Sequence, residues 1–230
     1  MERAETGAVL RFRNVTVRYD VNRAPALDGC SLAVGEGERV ALIGANGSGK
    51  TTILMAAVGL ISCEGIIEVA GIRLDPAEPE PVRERVGMMF SIPDDQLLFP
   101  RVLDDVAFTL RRRGVAEAEA EARSLEALGR LQAEHLAEAS PYQLSRGERA
   151  RVALAGTLVA QPSLLLLDEP SSGLDPPGRR LLAEHLADLP SAMLIATHDI
   201  QFAADFCHRY ILLESGRVRT TGSDYQQISL

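Results

Sequence analysis

The sequence predicts an α/β fold: a mainly parallel sheet, an antiparallel β edge at one end, and a helical subdomain inserted part-way along. Three observations carry that reading. Short apolar runs alternate with helical patterns along most of the chain, the order expected of a sheet covered by helices on both faces. Arg39-Val40-Ala41-Leu42-Ile43 is a short apolar strand running into the glycine-rich stretch 44–51, and Thr52 to Val58 reads as a buried helix behind it. Between 102 and 139 the composition changes, and Ala, Glu, Leu and Arg recur at helical spacing.

Residues 9–19 and 32–43 are rich in β-formers and precede the glycine-rich stretch, so antiparallel pairing is expected at that edge. Ile66 to Val69 and Val86 to Phe90 are further strands. The run Asp75 to Pro81 holds three prolines, which remove backbone donors and fix φ, so a loop without helix is expected there. Ala116 to Leu136 forms the helical heart of the insert. Leu164 to Leu167 is a four-leucine strand, Gly178 to Leu189 a helix and Ala192 to Thr197 a strand. With no internal repeat and no linker, residues 1–230 read as one domain, its core about 1–91 and 156–230 and its helical subdomain about 92–155.

Composition narrows the function classes. Apolar residues make up 46 % of the chain, yet no run approaches the roughly 20 residues of a membrane span. Met1-Glu2-Arg3-Ala4-Glu5 is acidic and polar, which is not a secretory leader. Cys30, Cys63 and Cys207 are odd in number and lack metal-ligand spacing, so they read as reduced thiols of a cytosolic protein. A net charge of −8 argues against a nucleic-acid partner, whose phosphates need clustered cations. Arg111-Arg112-Arg113 is the one basic run, and it reads as a solvated helix end.

Gly44-Ala45-Asn46-Gly47-Ser48-Gly49-Lys50-Thr51 fits G-x-x-x-x-G-K-[ST] without a mismatch. Its glycines let backbone N–H groups crowd round phosphate oxygens, and the following helix aims its positive end at them. Lys50 is the only lysine; the other basic residues of the 24 are all arginine. An ammonium is a compact point charge suited to β- and γ-phosphates. The nucleotide-binding candidates are Gly44, Asn46, Gly47, Ser48, Gly49, Lys50, Thr51 and Thr52, with the Thr51 hydroxyl offered to Mg²⁺. These residues read as the phosphate loop of a P-loop NTPase core, with a nucleotide and Mg²⁺ as the expected ligands.

Leu164-Leu165-Leu166-Leu167-Asp168-Glu169 supplies the second landmark. A strand ending in two carboxylates puts them where its C-terminal edge meets the phosphate loop. Asp168 is the candidate Mg²⁺ ligand and Glu169 the group that orients or deprotonates the attacking water. Taken alone, His198 at the end of Ala192 to Thr197 reads as a satisfied buried histidine.

Leu144-Ser145-Arg146-Gly147-Glu148 enters a helix, Ser172-Gly173-Leu174-Asp175 follows the carboxylate pair, and Thr197-His198-Asp199 ends the next strand. In this order the chain resembles the ATP-binding-cassette (ABC) ATPases over essentially its whole length. The resemblance implies two cassettes closing head to tail on ATP. It gives Leu144, Ser145, Gly147 and Glu148 to the signature turn facing the partner's ATP and His198 to the γ-phosphate of its own site. Asp175 goes to the dimer contact and Tyr19 to stacking on adenine; for Tyr19 a core strand aromatic is the other reading. A homodimer is the simpler expectation, and pairing with a related second ATPase is the alternative.

The chain departs from the usual pattern in two places. Arg146 and Glu148 stand where the signature usually has glycine and glutamine. Ser91 stands where the family places a glutamine that senses Mg²⁺, which makes Ser91 or Gln96 the further metal candidate. Pro93-Asp94-Asp95-Gln96-Leu97-Leu98-Phe99 resembles ATPase subunits of energy-coupling-factor importers, closest to the cobalt/nickel branch. That implies transmembrane importer subunits as partners and a peripheral place on the cytoplasmic face of the cell membrane. A vitamin importer, another ABC transport system and a soluble non-transport cassette are the competing readings, and the single cassette with its acidic charge disfavours the last.

Overall fold

The computed structural model of the protein describes residues 7–228, so the N-terminal reading at residues 1–5 lies outside the described residues. Two compact units emerge, each gathered from separate stretches of chain. The first takes in residues up to Met88, Pro162–Glu169 and everything from Pro190 onward; the second takes in Met89–Gln161 and Pro170–Leu189.

The first unit holds two sheets. One is antiparallel, ordered β2 (Leu27–Gly35), β1 (Ala8–Val17), β4 (Glu64–Val69) and β5 (Ile72–Arg73). In β1, Leu10 and Phe12 face the core, then Val15 and Val17 do, a change of parity in a period-two element. A register shift between Phe12 and Val15 makes this work, with Asn14 at φ +51°. The bulge takes up one residue and turns the apolar positions back inward.

The other sheet runs β10 (Arg217–Gly222), β9 (Arg209–Glu214), β3 (Arg39–Ile43), β8 (Ala192–Thr197), β7 (Leu164–Asp168) and β6 (Val86–Met89). The pairs β7–β8, β8–β3 and β3–β9 are parallel, and the β9–β10 hairpin runs antiparallel. Every residue of β7 and β8 is buried, which is why these strands read as unbroken apolar runs rather than alternating ones. Helix α1 (Lys50–Ala57) packs on β4, β7 and β8, and its Ile53, Leu54, Ala56 and Ala57 join side chains from both sheets in one core.

The run 32–43 divides into two strands at Glu36-Gly37-Glu38. Gly37 takes φ +62°, and the Glu38 carboxylate accepts from the Gly35 amide at 2.8 Å, tightening the turn. The segment Asp75 to Pro81 is not free of helix: α2 (Glu80–Arg83) begins inside it with Pro81 in the first turn, a position that tolerates the missing N–H. Beyond His198, α7 (Ile200–Phe206), β9 and β10 were not anticipated.

The second unit is helical: α3 (Val102–Arg112), α4 (Glu117–Arg130) and α5 (Arg146–Leu158) pack on one another, and α6 (Pro176–Ala187) belongs to the same unit. It differs from the expected 92–155 because α5 continues unbroken to Leu158 and because 170–189 clusters with it. The helix expected over 116–136 stops at Arg130 and resumes as a 3-10 turn at Glu134–Leu136. The basic run closes α3, with Arg112 and Arg113 exposed as a solvated helix end and Arg111 half-buried. Arg111 pairs with Glu117 and, at 3.0 Å, with Asp104, while Arg113 donates to the Ala160 carbonyl.

All three cysteines are free, and burial pushes the Cys30 and Cys207 thiols up to about 12. Leu166 is fully buried in the core of the first unit. Leu166→Ala should destabilise the protein by about 2–5 kcal/mol in urea denaturation, the cost of lost transfer energy plus a partly collapsed cavity.

Candidate active site

Three parallel strands end level with one another. Ile43 of β3 pairs with Thr197 of β8, and Asp168 of β7 pairs with Ala196. Each strand's next residues therefore emerge at the same edge of the sheet, where ligands of open α/β sheets are bound.

From β3 the chain enters the loop Gly44–Gly49. Gly47 and Gly49 take φ +80° and +107°, and a side chain at Gly49 would press to 2.8 Å from the Ala26 carbonyl. Gly44 is confined in the same way, between the Leu213 carbonyl and the Ser48 hydroxyl. Lys50 opens α1 and is 7 % exposed; its ammonium donates to the Gly44 carbonyl at 2.7 Å and the Ala45 carbonyl at 3.3 Å. The ammonium thus spans the loop it belongs to, donating to two of that loop's backbone carbonyls.

The loop has a support that sequence reasoning missed. In the two-residue β9–β10 turn, Ser215 and Gly216 both take positive φ, the mark of a type I′ hairpin. The Gly216 amide donates to the Ser48 carbonyl at 2.9 Å, and its own carbonyl accepts from the Asp28 amide at 3.0 Å. A cavity of about 210 Å³ lies between Gly44–Ser48 and Leu212–Ser215. The signal was present as a Ser-Gly pair between two β-rich runs.

The Thr51 hydroxyl donates to Asp168 Oδ2 at 2.8 Å. Asp168 is only 3 % exposed, and burial raises its carboxyl above the ordinary aspartate range; the Glu169 charge adds to this, while the Thr51 hydrogen bond and Lys50 oppose it. Such a carboxylate lacks positive charge, and two hard oxygens side by side suit Mg²⁺. Among the described residues no group of three His, Cys, Asp or Glu side chains could hold a metal alone. That fits a Mg²⁺ held by one carboxylate, one hydroxyl and the substrate's phosphates.

Glu169 sits at φ +50°, an uncommon backbone state for a residue with a side chain. Its amide donates to the Ala196 carbonyl at 2.8 Å. Its carboxylate accepts from the Thr197 hydroxyl at 3.1 Å and the His198 amide at 3.4 Å, and His198 Nδ1 lies 2.9 Å from Oε1. The expectation of a buried histidine fails: the His198 side chain is 64 % exposed, and Glu169 is its partner. Thr197, buried beneath this pair, was not anticipated either. Tyr19 lies just past β1 and is 65 % exposed, so it is no core aromatic; its hydroxyl is 3.3 Å from Thr52 Oγ1.

The remaining candidates lie in the second unit. Ser145 caps α5: the Glu148 amide donates to its hydroxyl oxygen at 3.4 Å, while its own amide and hydroxyl donate to Glu148 Oε2 at 2.8 Å and 2.6 Å. Those two bonds, the hydroxyl's first, hold the Glu148 carboxyl below the usual range. Leu144 is buried under the turn. Ser145, Gly147, Glu148 and Asp175 line one cavity of about 240 Å³. Asp175 caps α6, its Oδ1 accepting from the Gly178 amide at 2.9 Å. Ser91 is exposed. Gln96 is committed at both ends of its amide: Oε1 accepts from the Phe90 amide at 2.9 Å, and Nε2 donates to the Ala153 carbonyl at 3.2 Å.

The family model described as ABC transporter matches residues 27–172. The chain is a member of the ABC transporter family. It is 39 % identical to the energy-coupling factor transporter ATP-binding protein EcfA1 of Lacticaseibacillus paracasei, over 94 % of this chain and 80 % of that one. The structure of cbiO1 from Clostridium perfringens, part of the ABC transporter complex cbiONQ, superposes with a TM-score of 0.83. The two are 33 % identical across 94 % of this chain and 89 % of that one. A bacterial ABC transporter cassette solved as a dimer gives a TM-score of 0.82 and 30 % identity, covering 93 % and 97 %. The ABC ATPase fold is thus the fold of this chain. This ABC cassette binds ATP and hydrolyses it as an ABC transporter ATPase.

The raised Asp168 carboxyl has a consequence for the nucleotide-free cassette. A buried acid with a raised folded-state value stabilises the fold while protonated, and that contribution is lost as pH rises from the ordinary aspartate value through the folded one. In thermal melts without nucleotide, Asp168→Asn should flatten the fall in stability across that window and melt higher than wild type at neutral pH.

Proposed function

We propose that this ABC cassette is the ATPase of an energy-coupling-factor importer, with cobalt or nickel as cargo. The observation that carries the ATPase part of this reading is the meeting of Lys50, Thr51, Asp168, Glu169 and His198 at one sheet edge. The importer part rests on the Pro93–Gln96 stretch and on the likeness to EcfA1 and cbiO1.

In this reading residues 1–230 act as one cassette. Gly44, Asn46, Gly47, Ser48, Gly49 and Thr52 hold phosphates through the loop and the start of α1, Lys50 neutralises their charge, and Tyr19 stacks on the base. Thr51 and Asp168 hold Mg²⁺, which draws charge from the phosphate oxygens when bound. Glu169 orients water for in-line attack on the γ-phosphorus, and the Thr197 hydroxyl and His198 amide fix its carboxylate. His198 lies on the carboxylate's other oxygen, exposed enough to meet the γ-phosphate.

Ser145 and Gly147 serve the nucleotide of a second cassette, with Leu144 and Glu148 shaping the turn and Asp175 at the contact between copies. A homodimer is the simpler assembly, since the chain carries a full set of these residues. Gln96 braces the Phe90 amide against α5, and the resemblance alone offers Ser91 as the further metal candidate. In this reading the cassette works with transmembrane partner subunits and lies peripherally on the cytoplasmic face of the membrane; among the described residues no helix is long and apolar enough to cross a membrane.

Glu169→Gln should keep ATP binding and lower turnover by about a hundredfold or more, with nucleotide-bound dimers accumulating in size-exclusion runs. Brisk turnover by that variant would refute the assigned role. Mass spectrometry of proteins co-purifying with the tagged cassette from its native membranes tests the rest. Recovery of a cobalt/nickel-type membrane protein supports the reading, a vitamin-binding membrane subunit changes the cargo, and purely soluble partners overturn the importer.

A further inference from the structure

Arg146 stands in the signature turn where the family usually has glycine, and no role has been given to it. It is the first residue of α5, directly after the cap Ser145. Its guanidinium lies against the turn Ser172–Asp175: Nη2 donates to the Ser172 hydroxyl at 3.4 Å, and the flat group covers Gly173. A β-carbon built on Gly173 would sit 2.6 Å from Arg146 Cζ and 2.7 Å from Nε. Gly173 therefore has two separate reasons to be glycine, its φ of +75° and the guanidinium occupying the space above it.

The turn so covered is short and stiff. The Leu174 amide donates to the Ser171 carbonyl at 3.2 Å, Ser171 is buried, and Asp175 starts α6 with its carboxylate on the Gly178 amide. One arginine thus fastens the N-terminus of α5, with its Ser145–Glu148 capping box, to the N-terminus of α6 with its Asp175 cap. A glycine at 146 would leave the two turns joined only through the packing beneath them.

We propose that Arg146 is a positioning residue for ATP hydrolysis, holding the Ser172–Asp175 turn in register with the signature turn so that both present to a second cassette as one surface. This rests on the proposed pairing of cassettes. The hold depends on a planar group that can lie flat on a backbone turn while donating from its edge. Lysine, a flexible stem with a point charge, supplies the charge without the plane.

The experiment compares steady-state ATP hydrolysis of the full chain, wild type against Arg146→Gly, Arg146→Lys and Ser172→Ala, with melting temperature measured alongside. Arg146→Gly and Arg146→Lys should each lower kcat by about tenfold, the scale of a small misplacement of groups that must meet the transition state. KM for ATP should stay within about twofold, because the phosphate loop that binds it belongs to the other unit. Ser172→Ala, which removes only the long hydrogen bond, should lower kcat less. Unchanged kcat in Arg146→Gly overturns the proposal, and so does full activity in Arg146→Lys, which would mean that charge alone matters. A raised KM with normal kcat also overturns it, since Arg146 would then be a nucleotide contact. Absence of ATP turnover in the wild type removes the paired-cassette reading and this inference with it, whereas an active wild type with an equally active Arg146→Gly removes the inference alone.

Discussion

The level ends of β3, β7 and β8 are the constraint from which the rest of the first unit follows. Parallel strands buried on both faces have little freedom to slip, because a one-residue shift would move every side chain to the opposite face. Here the ladder places Ile43 beside Thr197 and Asp168 beside Ala196. The loop after β3, the acid pair after β7 and the histidine after β8 then arrive together without any further instruction from the residues that do the chemistry. The apolar runs that look least informative, four leucines and Ala-Met-Leu-Ile-Ala, set the precision of the polar ones.

Polarity at that edge is balanced between strain and need. Glu169 takes a left-handed backbone state so that its carboxylate can turn onto Thr197 and His198, while Asp168, one residue earlier, points to Thr51. Two adjacent acids would repel if both faced one space; the backbone reversal sends them apart and gives each its own donors. An Asp168 carboxyl raised by burial, next to a Glu169 anchored on Thr197 and His198, is an arrangement suited to a centre that receives a cation together with its substrate.

How far the sequence could be read depended on whether a feature was local. The phosphate loop, the strand ending in Asp168-Glu169 and the helical insert were visible because each is a contiguous pattern with its own physical signature. The meeting of Thr51 with Asp168 was implied by the Mg²⁺ role read for each and needed the fold to become a distance. His198 was misjudged on its own residues because the partner that draws it out of the core, Glu169, is 29 positions away. The bulge at Asn14 and the split at Gly37 escaped because a single residue of altered backbone leaves the apolar pattern nearly intact. Gln96 was a metal candidate by the resemblance, yet its amide is spent on Phe90 and on Ala153 of α5, contacts that the fold creates. The C-terminal hairpin was passed over because its strands carry charged and polar residues, as exposed edge strands do.

That hairpin ties the phosphate loop to a segment far later in the chain. β3 finds its neighbours only in β8 and β9, roughly 150 residues later, and the Ser48 carbonyl finds its donor only at Gly216. During synthesis the loop at 44–51 is therefore made well before its frame, which waits for the residues up to Gly216. A chain cut before the hairpin would hold the complete phosphate motif and lack the Gly216 brace on Ser48.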